Sequence, residues 1–328
     1  MVEQRKGVPP MAKAARRFKV IVLNAENLFV FMDKWDGTPV EGLTEHQWQF
    51  ANAGLLANKE IKKIRDLAGT LKRLDPDLVL LTEVGGLVSL ENFNRHFLGG
   101  AYGCHLAEGN SDRGIDMGFL LKAPWSAHLQ SHREHPLEHP KYTRFSRDVL
   151  LLSLTRGDRG PVWFHTLLVH LKSKLNMRGE DFEGRTRRAL EVRALAHLAQ
   201  TLDPTVPLLL GGDFNGHARL PDPEPEFLPL YQLAQLTDAV ELSPLPEEER
   251  FSYVYFRSGT RICQQLDYLF LNPAAQALLV SDSVQFPRWF TAEGQLLPVP
   301  ALPEQRKLLP SDHFPLYAEF DLERHPLA

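Results

Sequence analysis

Polar side chains suited to acid–base and metal chemistry follow the ends of apolar runs in this chain. The clearest case is 208–217, LLLGGDFNGH, whose apolar run is too short for a helix and predicts a buried strand. Gly211 and Gly212 allow a sharp bend, and Asp213 and Asn215, two residues apart, point to the same side of an extended chain. A carboxylate and an amide placed together suit a metal-bound water beside a phosphate. An Asx turn closing a strand explains the same residues if they are taken alone.

Further polar groups lie beside the ends of other apolar runs. They are Asn24 after FKVIVL, Glu83 after LVLLT, His170 after 161–169, and Asp312 with His313 before 316–320. These groups are most easily accommodated if the strand ends converge on one cleft. The set is rich in carboxylate and amide oxygen and poor in thiolate, which favours Mg²⁺ or Mn²⁺ over zinc. Taken singly, each has a structural explanation as a strand-end histidine or a turn-capping acid.

Asp267 differs from these residues because it lies inside an apolar run, QLDYLFL at 265–271. An unpaired carboxylate there would cost several kcal/mol. It therefore needs a partner, and a histidine is the natural one.

The elements that must position these groups alternate between strands and helices. We expect strands at 18–23, 78–82, 101–107, 115–122, 149–155, 161–169, 208–213, 251–256, 265–271 and 316–320. An apolar stripe predicts a helix from Lys59 that ends before Pro76, and further helices are expected at 90–98, 183–202 and near 229–235. We expect loops at 32–54 and 286–310.

Composition bounds the class of protein. The 328 residues are 43% hydrophobic and carry a net charge of −4, so a large core is possible and no global attraction to nucleic acid is built in. No apolar run approaches the length of a membrane span. The basic, polar N-terminus lacks the apolar segment of a signal peptide, which makes a cytoplasmic location the default. We expect a flexible leader at 1–17 and a single domain at 18–328.

Cysteines, histidines and arginines leave structural alternatives. Cys104 and Cys263 are expected to be small buried hydrophobes, although the sequence leaves open whether they pair. Four histidines have helical spacing suited to zinc, but Pro136 and Pro140 favour a surface loop for 124–140; they are His128, His132, His135 and His139. A basic run near Lys172 and Lys174 is either a phosphate-backbone track or the solvated face of a helix; it comprises Arg185, Arg187, Arg188 and Arg193.

Seven motifs occur in an order that resembles the endonuclease/exonuclease/phosphatase superfamily, the DNase I-like fold. They are NAENLF (24–29), DPDLVLLTEV (75–84), RGIDMGFLL (113–121), HLKSK (170–174), GGDFNGH (211–217), QLDYLFL (265–271) and SDHFP (311–315). The resemblance covers about residues 18–321. Within the superfamily, NAENLF together with HLKSK resembles a bacterial nuclease-like branch. It implies a four-layered α/β/β/α sandwich of two packed, mostly antiparallel sheets flanked by helices.

The resemblance also implies roles for residues of this chain. Metal would be held by Glu83, with Asn24 beside it and Asp312 completing or supporting the site. Asp213 would orient or deprotonate the attacking water, and Asn215 would hold a phosphate oxygen. His170 would donate to the phosphoryl group, and His313, paired with Asp267, would be the second acid/base histidine. Substrate contacts would come from RGID and HLKSK, namely Arg113, Asp116, Lys172 and Ser173.

The implied activity is a Mg²⁺- or Mn²⁺-dependent phosphodiesterase, with a nuclease acting on DNA or RNA as the first hypothesis. In-line attack by water, charge neutralisation on the phosphoryl oxygens and relief for the leaving oxygen fit this set of groups. One alternative keeps the chemistry with a small phosphoester or a lipid head group as substrate. Another is a catalytically silent scaffold, which the intact set of polar residues disfavours. The substrate, endo or exo action and oligomeric state stay open.

Overall fold

Two six-stranded sheets form the centre of the protein. The computed structural model describes residues 17–157, 159–175 and 180–328, so residues 1–16 of the expected leader lie outside the described residues. The first sheet contains, in spatial order, β13 (Leu279–Gln285), β14 (Leu316–Asp321), β1 (Arg17–Leu28), β2 (Leu78–Val84), β4 (Asp116–Leu121) and β3 (Gly103–Ala107). The second contains β5 (Trp125–Ser131), β6 (Val149–Arg156), β7 (Val162–His170), β8 (Leu208–Asp213), β12 (Asp267–Leu271) and β9 (Thr237–Asp238). A separate antiparallel ribbon joins β10 (Tyr253–Arg257) to β11 (Thr260–Gln264).

Most strand pairs are antiparallel, but each sheet has one parallel pair at its centre. These pairs are β1 with β2 and β7 with β8. Because parallel neighbours end at the same edge, the C-terminal ends of all four central strands deliver their polar residues to one edge of the sandwich.

Seven α-helices surround the two sheets and the ribbon in the described part of the chain. They are α1 (Glu45–Phe50), α2 (Ile61–Leu74), α3 (Gly86–Asn92), α4 (Arg185–Thr201), α5 (Leu228–Gln232), α6 (Pro273–Gln276) and α7 (Pro303–Arg306). Apolar residues of α2 and α3 pack on the first sheet, and those of α4 and α5 pack on the second. A third apolar cluster fills the space between the sheets. The result is the four-layered sandwich expected from the sequence. None of the described helices is both long and apolar enough to cross a membrane.

Two glycines in β8 are required by close packing. A Cβ on Gly211 would lie 2.8 Å from Val22 Cγ2 of the facing sheet. Gly212 has a φ of +143°, and a Cβ there would lie 1.9 Å from the Val169 carbonyl oxygen of β7. The close approach of β8 to β7 and to the opposite sheet therefore depends on the absence of side chains just before Asp213.

Several elements differ from the sequence-based expectations. The expected loop at 124–140 begins with β5, an edge strand whose alternating burial was hidden by the histidines, so His128 lies on a strand. The expected loop at 32–54 contains α1, which begins with a Thr44–Gln47 capping box. Strands β9, β11 and β13 were not predicted; they lie at edges or in the ribbon, where exposure interrupts apolar patterning. Within the expected loop at 286–310 lies the short α7.

Two expectations about individual side chains were also wrong. Cys263 is exposed on β11 rather than buried, because its side of the ribbon is open. Cys104 is half-buried on β3, and burial raises the pKa of its thiol to about 11. Both cysteines are free. Arg188 is neither on a track nor on a solvated face: it is fully buried and bonds Glu226 (Nη2–Oε1 2.6 Å).

Candidate active site

The ends of six strands meet at one cleft with a volume of about 480 Å³. Nine of the twelve site residues expected from the sequence line it, namely Asn24, Glu83, Arg113, His170, Ser173, Asp213, Asn215, Asp312 and His313. Asp267 lies directly behind His313. The cleft therefore gathers groups separated by up to 289 residues, from Asn24 to His313.

Asp213 lies at the centre of the cleft floor and both of its oxygens are engaged. Its Oδ2 accepts a hydrogen bond from Asn24 Nδ2 (3.0 Å), and its Oδ1 accepts one from the Asn215 backbone N–H (2.9 Å). Burial raises the pKa of Asp213, and the neighbouring charge of His313 opposes that rise. Asn215 has a left-handed φ of +51°, and its side-chain amide donates to the Leu171 carbonyl (3.2 Å), so its direction is fixed.

His170 ends β7 opposite Asp213 in the parallel register. Its Nε2 lies 3.6 Å from Asp213 Oδ2 and 4.0 Å from Glu83 Oε1. Burial and then the positive charge of Arg147 hold the pKa of His170 well below its usual range. At neutral pH this histidine is therefore neutral and carries one N–H donor.

Asp267 and His313 form a buried pair. His313 Nδ1 lies 2.6 Å from Asp267 Oδ2, and Asp267 is fully buried at the start of β12. Burial opposes a charge on His313, but the carboxylate of Asp267 outweighs it and raises the histidine's pKa. The Asp267 backbone N–H donates to Ser252 Oγ (2.9 Å), and the His313 backbone N–H donates to Ser311 Oγ (3.1 Å). The imidazole is thus held through Nδ1, and the backbone of each partner is anchored by a serine hydroxyl.

The oxygen donors at one side of the cleft fit a hard divalent cation. Glu83 has a left-handed φ of +61°; its Oε2 accepts the Asn27 N–H (3.1 Å), and its Oε1 faces the cleft near His170. Asn24 Oδ1 accepts the Glu26 N–H (2.9 Å). Among the described residues, no three His, Cys, Asp or Glu side chains are grouped so as to hold a metal alone. An ion at Glu83 would take its remaining ligands from amide oxygen, water and substrate phosphate, as Mg²⁺ does.

Asp312 is tied to the C-terminal part of the chain. Arg306 of α7 donates to Asp312 Oδ2 (2.5 Å) and to Tyr253 Oη (2.9 Å). Burial opposes ionisation of Asp312, but the charges of His313 and Arg306 prevail and lower its pKa. One oxygen of Asp312 is therefore committed to Arg306, which leaves the other for any cation.

The four residues expected to bind substrate divide into two groups. Arg113 and Ser173 line the cleft, and Arg113 Nη2 donates to Asn27 Oδ1 (3.0 Å). Asp116 lies at the start of β4, where its Oδ1 accepts the Gly109 N–H (2.8 Å) and so supports the loop that carries Arg113. Lys172 lies beside the cleft wall, with its backbone N–H bonded to Glu191 (3.0 Å).

Arg147, Tyr253 and Tyr255 are among the cleft residues that were not expected from the sequence. Arg147 lies against the end of β7, with Nη1 donating to the Leu171 carbonyl (3.2 Å), and burial lowers its pKa. Tyr253 and Tyr255 stack at 5.9 Å on the cleft side of the ribbon, and Tyr253 also contacts His313 (ring centroids 4.9 Å). The alternation in SYVYF was a signal for the tyrosines, because 253 and 255 share a face of a strand.

Solved structures with the same architecture include several proteins of low sequence identity. The humanized TDP2 of D. rerio matches with a TM-score of 0.59 at 16% identity, over 93% of this chain and 99% of that one. D. rerio TDP2 complexed with a single strand DNA product matches with a TM-score of 0.59 at 17% identity, over 93% and 98%. The human Nocturnin catalytic domain with a bound sulfate anion matches with a TM-score of 0.57 at 14% identity, over 93% and 94%.

The sequence itself also matches a family model. No curated protein sequence matches the chain. The model of the Endonuclease/Exonuclease/phosphatase family, however, matches residues 51–313, which include Glu83, His170, Asp213 and His313. Members of this family are phosphoric ester hydrolases. The chain belongs to the Endonuclease/Exonuclease/phosphatase family.

Proposed function

We propose that this protein is a divalent-metal-dependent phosphodiesterase that hydrolyses the backbone of DNA or RNA. The observation that carries the proposal is the convergence of Asp213, His170 and His313 in one cleft beside Glu83. A carboxylate, two histidines of opposite pKa shift and a hard oxygen donor are the groups that in-line attack of water on a phosphoryl centre requires.

Each of these groups has a distinct role in the proposed reaction. Asp213 orients the attacking water and receives its proton, for which burial has prepared it by raising its pKa. Neutral His170 donates its N–H to a phosphoryl oxygen as negative charge builds there. His313, held by Asp267, supplies a second, charged donor to the phosphoryl group. Asn215 holds a further phosphate oxygen through its fixed side-chain amide.

Glu83, Asn24 and the free oxygen of Asp312 would hold Mg²⁺ or Mn²⁺. When bound, such an ion neutralises charge on the phosphate and the leaving oxygen.

The residues that line the cleft favour a nucleic-acid polymer as the substrate. Arg113 and Arg147 add positive charge beside the reacting centre, and Lys174 lies on the rim, where it is paired with Glu224. Tyr255, which lines the cleft and stacks on Tyr253, supplies an aromatic ring suited to stacking of an unpaired base. A small phosphomonoester would use the cations beside the reacting centre but would leave the tyrosine ring without a base to stack on it. D. rerio TDP2 has been solved with a single strand DNA product in the same fold, which is compatible with this assignment.

A substrate panel tests the proposal. Purified protein is incubated with plasmid, single-stranded DNA, RNA, bis-p-nitrophenyl phosphate and p-nitrophenyl phosphate, each with Mg²⁺, Mn²⁺ or EDTA. We expect metal-dependent cleavage of the nucleic acids and the diester, and loss of activity by orders of magnitude in Asp213→Asn with the fold retained. Turnover of the monoester alone would refute the nuclease assignment, and turnover in EDTA would refute the metal requirement.

A further inference from the structure

One buried carboxylate on α4 contacts two segments of the cleft wall. Glu191 is 1% exposed. Its Oε1 accepts the backbone N–H of Ser146 (2.7 Å), and its Oε2 accepts the backbone N–H of Lys172 (3.0 Å). Ser146 directly precedes Arg147, and Lys172 follows His170 by two residues. A single side chain therefore holds the backbone next to two residues that line the cleft.

Three basic side chains, one of which lines the cleft, surround the carboxylate of Glu191. Arg187 Nε lies 3.5 Å from Glu191 Oε1. Burial lowers the pKa of Arg147, and Glu191 is the carboxylate that opposes this most. The pKa of Lys172 is lowered by burial and then by Arg147 and Arg187. Three cations thus lie close together, and Glu191 is the carboxylate that acts most strongly on both Arg147 and Lys172.

The packing of α4 does not by itself explain why a carboxylate is buried at position 191. The helix packs through apolar residues such as Val192 and Leu195, and Arg188 ties it to Glu226. Burying a carboxylate costs free energy that an apolar residue at the same position would not. The two backbone N–H groups that donate to Glu191 belong to different segments, one at Ser146 and one at Lys172. Arg147 links the same two segments, because its Nη1 donates to the carbonyls of His170 (3.4 Å) and Leu171 (3.2 Å).

We propose that Glu191 is a positioning residue of the active site. It holds the segments 145–147 and 170–173 at the separation at which His170 and Arg147 act on the same phosphoryl group. This inference rests on the proposed function, since a phosphoryl group is what the two residues would share. Glu191 itself does not touch the substrate.

The test compares Glu191→Gln with a matched control, Asp66→Asn. Glutamine keeps the volume of Glu191 but loses the charge and one of the two acceptors. Asp66 is a similarly buried carboxylate on α2 that accepts the Ala292 backbone N–H (2.8 Å), in the helix layer on the other sheet. Both variants, and Glu191→Asp, are assayed for thermal unfolding, for amide hydrogen exchange, and for kcat and KM on bis-p-nitrophenyl phosphate.

We expect Glu191→Gln to raise exchange at least tenfold in segments 144–148 and 170–174 together, and Asp66→Asn to raise it in neither. We expect kcat to fall at least tenfold in Glu191→Gln with KM changed less than threefold, and Glu191→Asp to recover part of the loss. Asp66→Asn should lose stability without losing kcat.

The proposal is overturned if exchange in the two segments is unchanged, or if kcat stays within twofold of wild type while exchange rises. It is also overturned if the loss of activity merely follows the loss of thermal stability in both variants. A wild-type protein that hydrolyses none of the diesters would instead refute the proposed function, and the exchange measurement would still decide whether Glu191 holds the two segments.

Discussion

Replacing Asp267 by asparagine tests the reaction chemistry most directly. The substitution keeps the size of the side chain and removes the negative charge 2.6 Å from His313 Nδ1. A hydrogen bond to a charged group contributes about 1.5–3 kcal/mol, and both residues are buried here, which argues for the upper part of that range. If this interaction acts in the transition state, about 3 kcal/mol corresponds to roughly a hundredfold loss in kcat.

The assay is steady-state hydrolysis of bis-p-nitrophenyl phosphate with Mn²⁺, alongside thermal unfolding. The control is Asp238→Asn, which changes another fully buried carboxylate of the same sheet, hydrogen-bonded to Gln265 (2.8 Å). We expect Asp267→Asn to lose about a hundredfold in kcat with a modest change in KM, and Asp238→Asn to stay within threefold of wild type. Retention of more than a third of wild-type kcat by Asp267→Asn would refute the role assigned to the Asp267–His313 pair.

Three further predictions concern stability and metal binding. Burial raises the pKa of Asp238 to about 7, above the 3.8 of an exposed carboxyl. The unfolded chain therefore releases this proton first, and the free energy of unfolding falls as pH rises from about 4 to 7. In chemical denaturation Asp238→Asn should lose this pH dependence and gain on the order of 4 kcal/mol at pH 8, whereas identical pH profiles for the two proteins would contradict the assignment. Mn²⁺ at about a hundred times its Kd should stabilise the wild type by about 2.7 kcal/mol in thermal melts, and Glu83→Gln should abolish this gain; an equal gain in the variant would exclude Glu83 as the main ligand. Gly212→Ala, which places a Cβ 1.9 Å from a β7 carbonyl oxygen, should cost more than about 3 kcal/mol in urea unfolding. Gly294→Ala, which has a φ of +86° and meets only Arg73 Nη1 at 3.9 Å, should cost about 1 kcal/mol. Similar costs at both positions would show that the β7 backbone moves to accommodate the new side chain.

The central strands and the polar residues at their ends were predictable from the sequence. The runs ending at Glu83, His170 and Asp213 are continuous and apolar because these strands are buried on both faces. The motif order then implied the family, and with it the sandwich. Edge strand β5 and the ribbon strand β11 escaped prediction because exposure on one face breaks the apolar run that identifies a strand.

Other features were decided by tertiary structure alone. Nothing local distinguishes Arg188 or Glu191 from the solvated residues of a basic helix, yet both are buried because α4 packs against the cleft wall and meets backbone groups from distant loops. The opposite pKa shifts of His170 and His313 likewise depend on their surroundings: burial beside Arg147 lowers one, and Asp267 raises the other. The sequence by itself determined which chemical groups the chain carries and which strands deliver them. Their protonation, direction and separation were decided only by folding, because burial and through-space charge depend on neighbours that lie far away along the chain.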